Sequence, residues 1–95
     1  MNARETAERH GQFVAQGNMQ GAMADFTPDA LQAFGALGIR PPRGTNSAAV
    51  VTEQAEGDNS TIEITYSNGT ESTTIRSTWA PQGDEWKIIK AVAGE

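Results

Sequence analysis

The sequence has no cysteine, and among its 95 residues there is one histidine, His10. Without thiols there can be no disulfide, no thiolate nucleophile and no cysteine-ligated zinc or iron–sulfur centre, and one imidazole does not make a histidine-rich metal site. No cofactor and no metal are expected. Basic residues are also few: 7 Lys and Arg stand against 12 Asp and Glu, for a net charge of −5. They are scattered, with no basic stripe. That argues against nucleic acid, whose phosphates require clustered cations, and against an anionic membrane surface. No apolar run approaches the roughly 20 residues of a membrane span. The opening MNARETAERHG is charged and lacks the apolar stretch of a signal peptide. A soluble, cytoplasmic chain is expected.

What is present suits one domain with a modest core. Ala3, Ala7, His10 and Val14, with Phe13 beside them, share one face of a helix over 2–16, and Gly17 ends it. Asn18 then suits an N-cap for a second helix bearing Met19, Ala22, Met23 and Phe26. The two methionines read as core filling. A third short helix is expected from Pro28, with Thr27 as N-cap, Leu31, Phe34 and Leu37 facing inward, and Gly38 as its stop. Asp25 and Asp29 read as helix-end residues.

The segment GIRPPRGTNS (38–47) is a connector, because its two prolines forbid helix and no apolar period survives. After it the period switches to two, and four strands are predicted at about 48–56, 60–67, 70–80 and 84–92. The joints are Gly57-Asp58-Asn59, Asn68-Gly69 and Pro81-Gln82-Gly83-Asp84. Turns this short allow only neighbouring antiparallel strands, so the sheet is a meander. A two-residue Asn68-Gly69 turn of type I′ pairs Tyr66 with Glu71 and Ile62 with Ile75. A four-residue loop at 81–84 sets Trp79 opposite Trp86. Both tryptophans then share a face with Ile62, Ile64, Tyr66, Ile75, Ile88 and Val92, and the indole pair holds the register of the last hairpin. The other face is threonine-rich and charged, with Glu63 diagonal to Arg76. It reads as a solvated sheet face or as a wet interface with another subunit. The fold class is thus α+β, two or three N-terminal helices packed on one face of a curved four-stranded meander.

The order of parts resembles a known superfamily. FVAQGNMQGAMADFTPDAL (13–31) resembles the helix–Gly–helix opening of the nuclear transport factor 2-like domains. STWAPQGDEWKIIKAV (77–92) is similar to their closing hairpin. The resemblance implies a curled sheet wrapped around the helices as a cone, often a homodimer through the sheet, in a group holding isomerase-, cyclase- and dehydratase-like enzymes beside non-catalytic binding modules. This chain has only the short 38–47 connector where members usually carry a further strand and helix. No residue matches the isomerase motif, so no catalytic residue is carried over.

Chemistry would have to come from polar residues on the apolar face. Glu53 falls beside Ile62 if the first hairpin turns at Gly57-Asp58, unless a bulge turns it outward; a carboxylate there would have a raised pKa. Glu71 opposite Tyr66 and Lys90 opposite Ile75 lie near strand ends, where snorkelling competes with a role in a pocket. Ser77 sits between Ile75 and Trp79. Tyr66 is either core with its hydroxyl at the surface or a pocket hydrogen-bond donor. His10 either faces the cone mouth as an acid or base, or is satisfied at a helix–sheet boundary. The expected function is a small non-catalytic binding or assembly module, a homodimer with a shallow apolar cavity for a small hydrophobic ligand, rimmed by Tyr66, Glu53 and His10. The alternative is an enzyme acting on such a molecule by acid–base chemistry. A third reading is a partner-binding protein that uses a sheet edge or the threonine face.

Overall fold

The computed structural model describes residues 2–94 and is α+β. Three helices, α1 (Ala3–Ala15), α2 (Met19–Ala24) and α3 (Pro28–Leu37), precede four strands. These are β1 (Ser47–Glu56), β2 (Asn59–Ser67), β3 (Ser72–Gln82) and β4 (Glu85–Ala93), in the order β1-β2-β3-β4. All neighbours are antiparallel, so the sheet is an open meander.

Local chemistry starts and stops the helices. Asn2 and Glu5 form a reciprocal capping box on α1, with Asn2 Oδ1 accepting from the Glu5 N–H at 2.7 Å. Asn18 caps α2 and Thr27 caps α3, with Pro28 at its first turn. Gly38 ends α3 in the left-handed conformation at φ 71°, a backbone state that costs glycine little. The predicted inner face of α3 needs correction. Phe34 is half-buried, but Leu37 is exposed and the fully buried residue is Ala30.

The helices cover the face carrying Ile62, Ile64, Tyr66, Ile75, Trp79 and Ile88, which with Ala7 and Val14 form the core. α1 lies over β1 and β2, whereas α3 lies over β4. Gly11 permits the first contact. A Cβ there would come within 3.0 Å of the Ala48 Cβ. The α2–α3 link is stitched to β4 like a further short strand: the Ile88 N–H donates to the Asp25 carbonyl at 2.7 Å, and the Thr27 N–H donates to the Ile88 carbonyl at 3.0 Å.

The strand register departs from expectation at both later turns. Asn68–Glu71 is a four-residue loop, because Asn68 Oδ1 accepts from the N–H groups of Thr70 and Glu71. Only Gly69 has positive φ there, so no type I′ turn forms. Tyr66 therefore pairs with Thr73, Ile64 with Ile75 and Ile62 with Ser77. Each partner is displaced by two residues, which leaves every side chain on its expected face. Glu63 consequently stands directly opposite Arg76, not diagonal to it.

The last turn is tighter than predicted, with Gln82 paired to Glu85. Pro81 lies in β3 beyond its last pairing with β2, at Trp79, where one flank is open and a missing N–H is tolerated. Trp79 pairs with Ile88 and Trp86 with Pro81, so the two tryptophans share a face but stand diagonally across the hairpin, not opposite each other. Each edge strand also carries a bulge. Val51 in β1 and Ile89 in β4 have no cross-strand partner, and both are exposed. The Ile89 bulge turns Lys90 and Val92 to the outer face, where they pair with Thr78 and Arg76. Both had been expected on the apolar face.

Candidate functional site

An apolar pocket of about 310 Å³ lies between the three helices and the inner face of the sheet. Its walls include Val14, Met19, Met23, Phe26, Leu31, Phe34 and Ile39, and Phe26 stacks on Phe34 with ring centroids 5.5 Å apart. Met19 and Met23 are not core filling as expected. Each is nearly half exposed and lines this pocket. The volume is at the lower end of the range for small-molecule sites.

Three polar side chains line the cavity from its buried side: His10 from α1, Tyr66 from β2 and Ser77 from β3. Tyr66 and Ser77 are 2% and 4% exposed, and neither hydroxyl has a protein hydrogen-bond partner among the described residues. Trp79 Nε1 is the one fully buried side-chain polar atom without a partner among the described residues, so the two unmatched hydroxyls keep access to the cavity, where an incoming polar atom can meet them. Burial pushes the Tyr66 hydroxyl pKa well above its ordinary value, and the nearby Asp25 carboxylate pushes it the same way. Tyr66 is thus a neutral donor.

His10 is anchored from behind. Its Nδ1 lies 3.0 Å from Asp25 Oδ2, and both residues are buried, at 5% and 4% exposure. An ionised carboxylate only accepts, so Nδ1 carries the proton and Nε2 is the basic nitrogen. The imidazole is also held edge-on by Trp79 and Phe26, with centroids 5.7 and 5.9 Å away, while Arg9 approaches the other Asp25 oxygen at 3.7 Å. Asp25 is a helix-end residue as expected, the C-cap of α2, but it is also the partner of His10, which the sequence reading missed. One signal was available. His10 lies seven residues before Gly17 and Asp25 eight after it, so a helical hairpin folded at Gly17 brings them level.

The other expected site residues lie elsewhere. Glu53 does pair with Ile62 on the inner face, but at the exposed sheet end, where Arg4 approaches it at 3.7 Å, and it does not line the pocket. Glu71 belongs to the exposed Asn68 loop and does not face Tyr66. Lys90 lies on the outer face, in a larger hollow of about 570 Å³ with Thr52, Glu63, Arg76 and Thr78. That hollow is polar and open, with the Glu63–Arg76 pair at 3.4 Å, as suits a solvated sheet face. Of the five candidates, His10 and Tyr66 are brought together; Glu53, Glu71 and Lys90 are not.

No family model, no curated protein and no solved structure matches this chain. Among the described residues no helix is long and apolar enough to cross a membrane.

Proposed function

We propose that this chain is a small binding module of the nuclear transport factor 2-like type, taking one small, mostly apolar molecule that carries an oxygen at its inner end. The observation that carries this reading is the pair of unmatched hydroxyls that Tyr66 and Ser77 present to an apolar cavity. An alcohol or carbonyl oxygen there would accept from Tyr66, while its carbon skeleton displaces water from Phe26, Phe34 and Leu31. The family reading is supported by the order of parts, helices first and a meander after, with the helices on the face that bears Trp79. A homodimer through the outer face belongs to the same proposal. The outer face sets Glu63 directly opposite Arg76, two opposite charges that a two-fold axis can make self-complementary.

The test is a chemical-shift titration with hexanol and benzyl alcohol, repeated on Gly35→Leu. Gly35 lines the pocket, and a Cβ built on it meets nothing within 4 Å, so a larger side chain can start there without a backbone clash. Shifts clustered at Tyr66, Ser77 and Phe34 that vanish in the leucine variant are expected. Shifts scattered over the surface, or unchanged by the leucine, would refute the reading.

A second reading, proton transfer on the bound molecule, is favoured by the buried His10–Asp25 pair on the cavity that also holds a neutral tyrosine donor. His10 Nε2 would take a proton from the carbon next to a carbonyl whose oxygen accepts from Tyr66. Faster exchange of the α-protons of cyclohexanone in heavy water, lost in His10→Gln, would establish it.

A further inference from the structure

Resting on the pocket reading, we propose that the ligand also carries an anionic group, a carboxylate, met by Arg40 at the cavity mouth. Arg40 follows the end of α3 in the connector and lines this pocket. It also lines a neighbouring cavity of about 230 Å³, whose walls share Val14, Met19 and Pro41 with the first. Arg40 therefore stands where the two cavities adjoin. Among the described residues no carboxylate lies within ion-pair distance of it, whereas Arg4, Arg9 and Arg76 each have an acidic partner.

The charge distribution fits an anion at that point and no other along the pocket. No Asp or Glu lines either cavity. Asp25, the acid behind the wall, is already met by His10 and Arg9. A carboxylate at the mouth thus meets one unpaired cation, and a guanidinium can bind it through two parallel N–H donors. At the inner end only neutral hydroxyls and the basic imidazole nitrogen are offered, which suits an uncharged oxygen. The ligand class is therefore a short-chain acid, the acid group outward, with the chain or an oxygen-bearing end inward.

Calorimetry or chemical-shift titration with hexanoate and hexanol tests this on the intact chain and on Arg40→Gln, an exposed position where substitution leaves the core untouched. Hexanoate is expected to bind at least about fivefold tighter than hexanol, with that preference falling to near unity in Arg40→Gln, partly retained in Arg40→Lys, and reduced by salt. Equal binding of the two probes, or an Arg40→Gln loss that affects both alike, overturns the anionic ligand and leaves the pocket reading standing. If neither probe binds at the pocket, the pocket reading falls and this inference with it.

Discussion

Tyr66 is the only tyrosine in the chain, which makes its burial measurable. Its hydroxyl titrates near 10.0 when unperturbed and is raised in the folded protein. Above that pH the unfolded chain loses a proton that the folded chain keeps, so the contribution is intact below pH 10 and is lost as pH rises toward the folded value. Urea unfolding between pH 9 and 11 should show Tyr66→Phe losing less stability per pH unit than the parent, by up to about 1.4 kcal/mol. At neutral pH the same substitution should cost less than about 1 kcal/mol, because no protein hydrogen bond is broken. Parallel pH slopes for the two proteins would contradict the buried, protonated tyrosine. His10 behaves differently. His10→Leu strands the Asp25 carboxylate in the core with only Arg9 beside it, and should destabilise by on the order of 3 kcal/mol. Adding Asp25→Leu to it should recover most of that loss, since an apolar pair of similar size leaves no buried charge. Thermal melts of the single and double variants decide it.

At the scale of elements, two glycines in helices should respond oppositely. Gly35 lies inside α3 with open space where a Cβ would stand, so Gly35→Ala should stabilise by about 0.5–1 kcal/mol through helix propensity alone. Gly11 lies inside α1, but its Cβ would press on Ala48 in β1. Gly11→Ala should gain the same propensity and lose more to the forced separation of helix and sheet, for a net cost of about 1–2 kcal/mol. Denaturant midpoints measured side by side give both signs. If Gly11→Ala also stabilises, α1 is not seated closely on β1. Bulges matter at the same scale. Both sit on edge strands, where an unpaired residue disturbs only one ladder, and each exposes an apolar side chain.

For the whole molecule, a core built on four strands and short helices is small, and a second copy would add to it. If the outer face pairs in solution, the melting temperature should rise with protein concentration, and Val92→Lys, a change on that face, should abolish that dependence while leaving a folded monomer. Light scattering across the same range provides the mass. A concentration-independent melting point with monomer mass throughout would remove the homodimer from the proposal.

The four residues 57, 68, 69 and 83 were enough to announce three hairpin turns, and the caps Asn18, Thr27 and Gly38 announced two helices, because turn and cap preferences are local backbone energies. Alternation likewise assigned Ile62, Ile64, Tyr66, Ile75 and Trp79 to one face, and a register displaced by two residues at Asn68 could not spoil that. Lys90 and Val92 escaped, because an inserted residue such as Ile89 reverses the alternation without leaving a mark in composition. Asp25 escaped as well, since its neighbours on the chain describe only a helix end. Its meeting with His10, the two unmatched hydroxyls and the unpaired Arg40 beside the apolar walls exist only once α1, α2 and the sheet are packed, for burial and distance are properties of the fold and not of any stretch of chain.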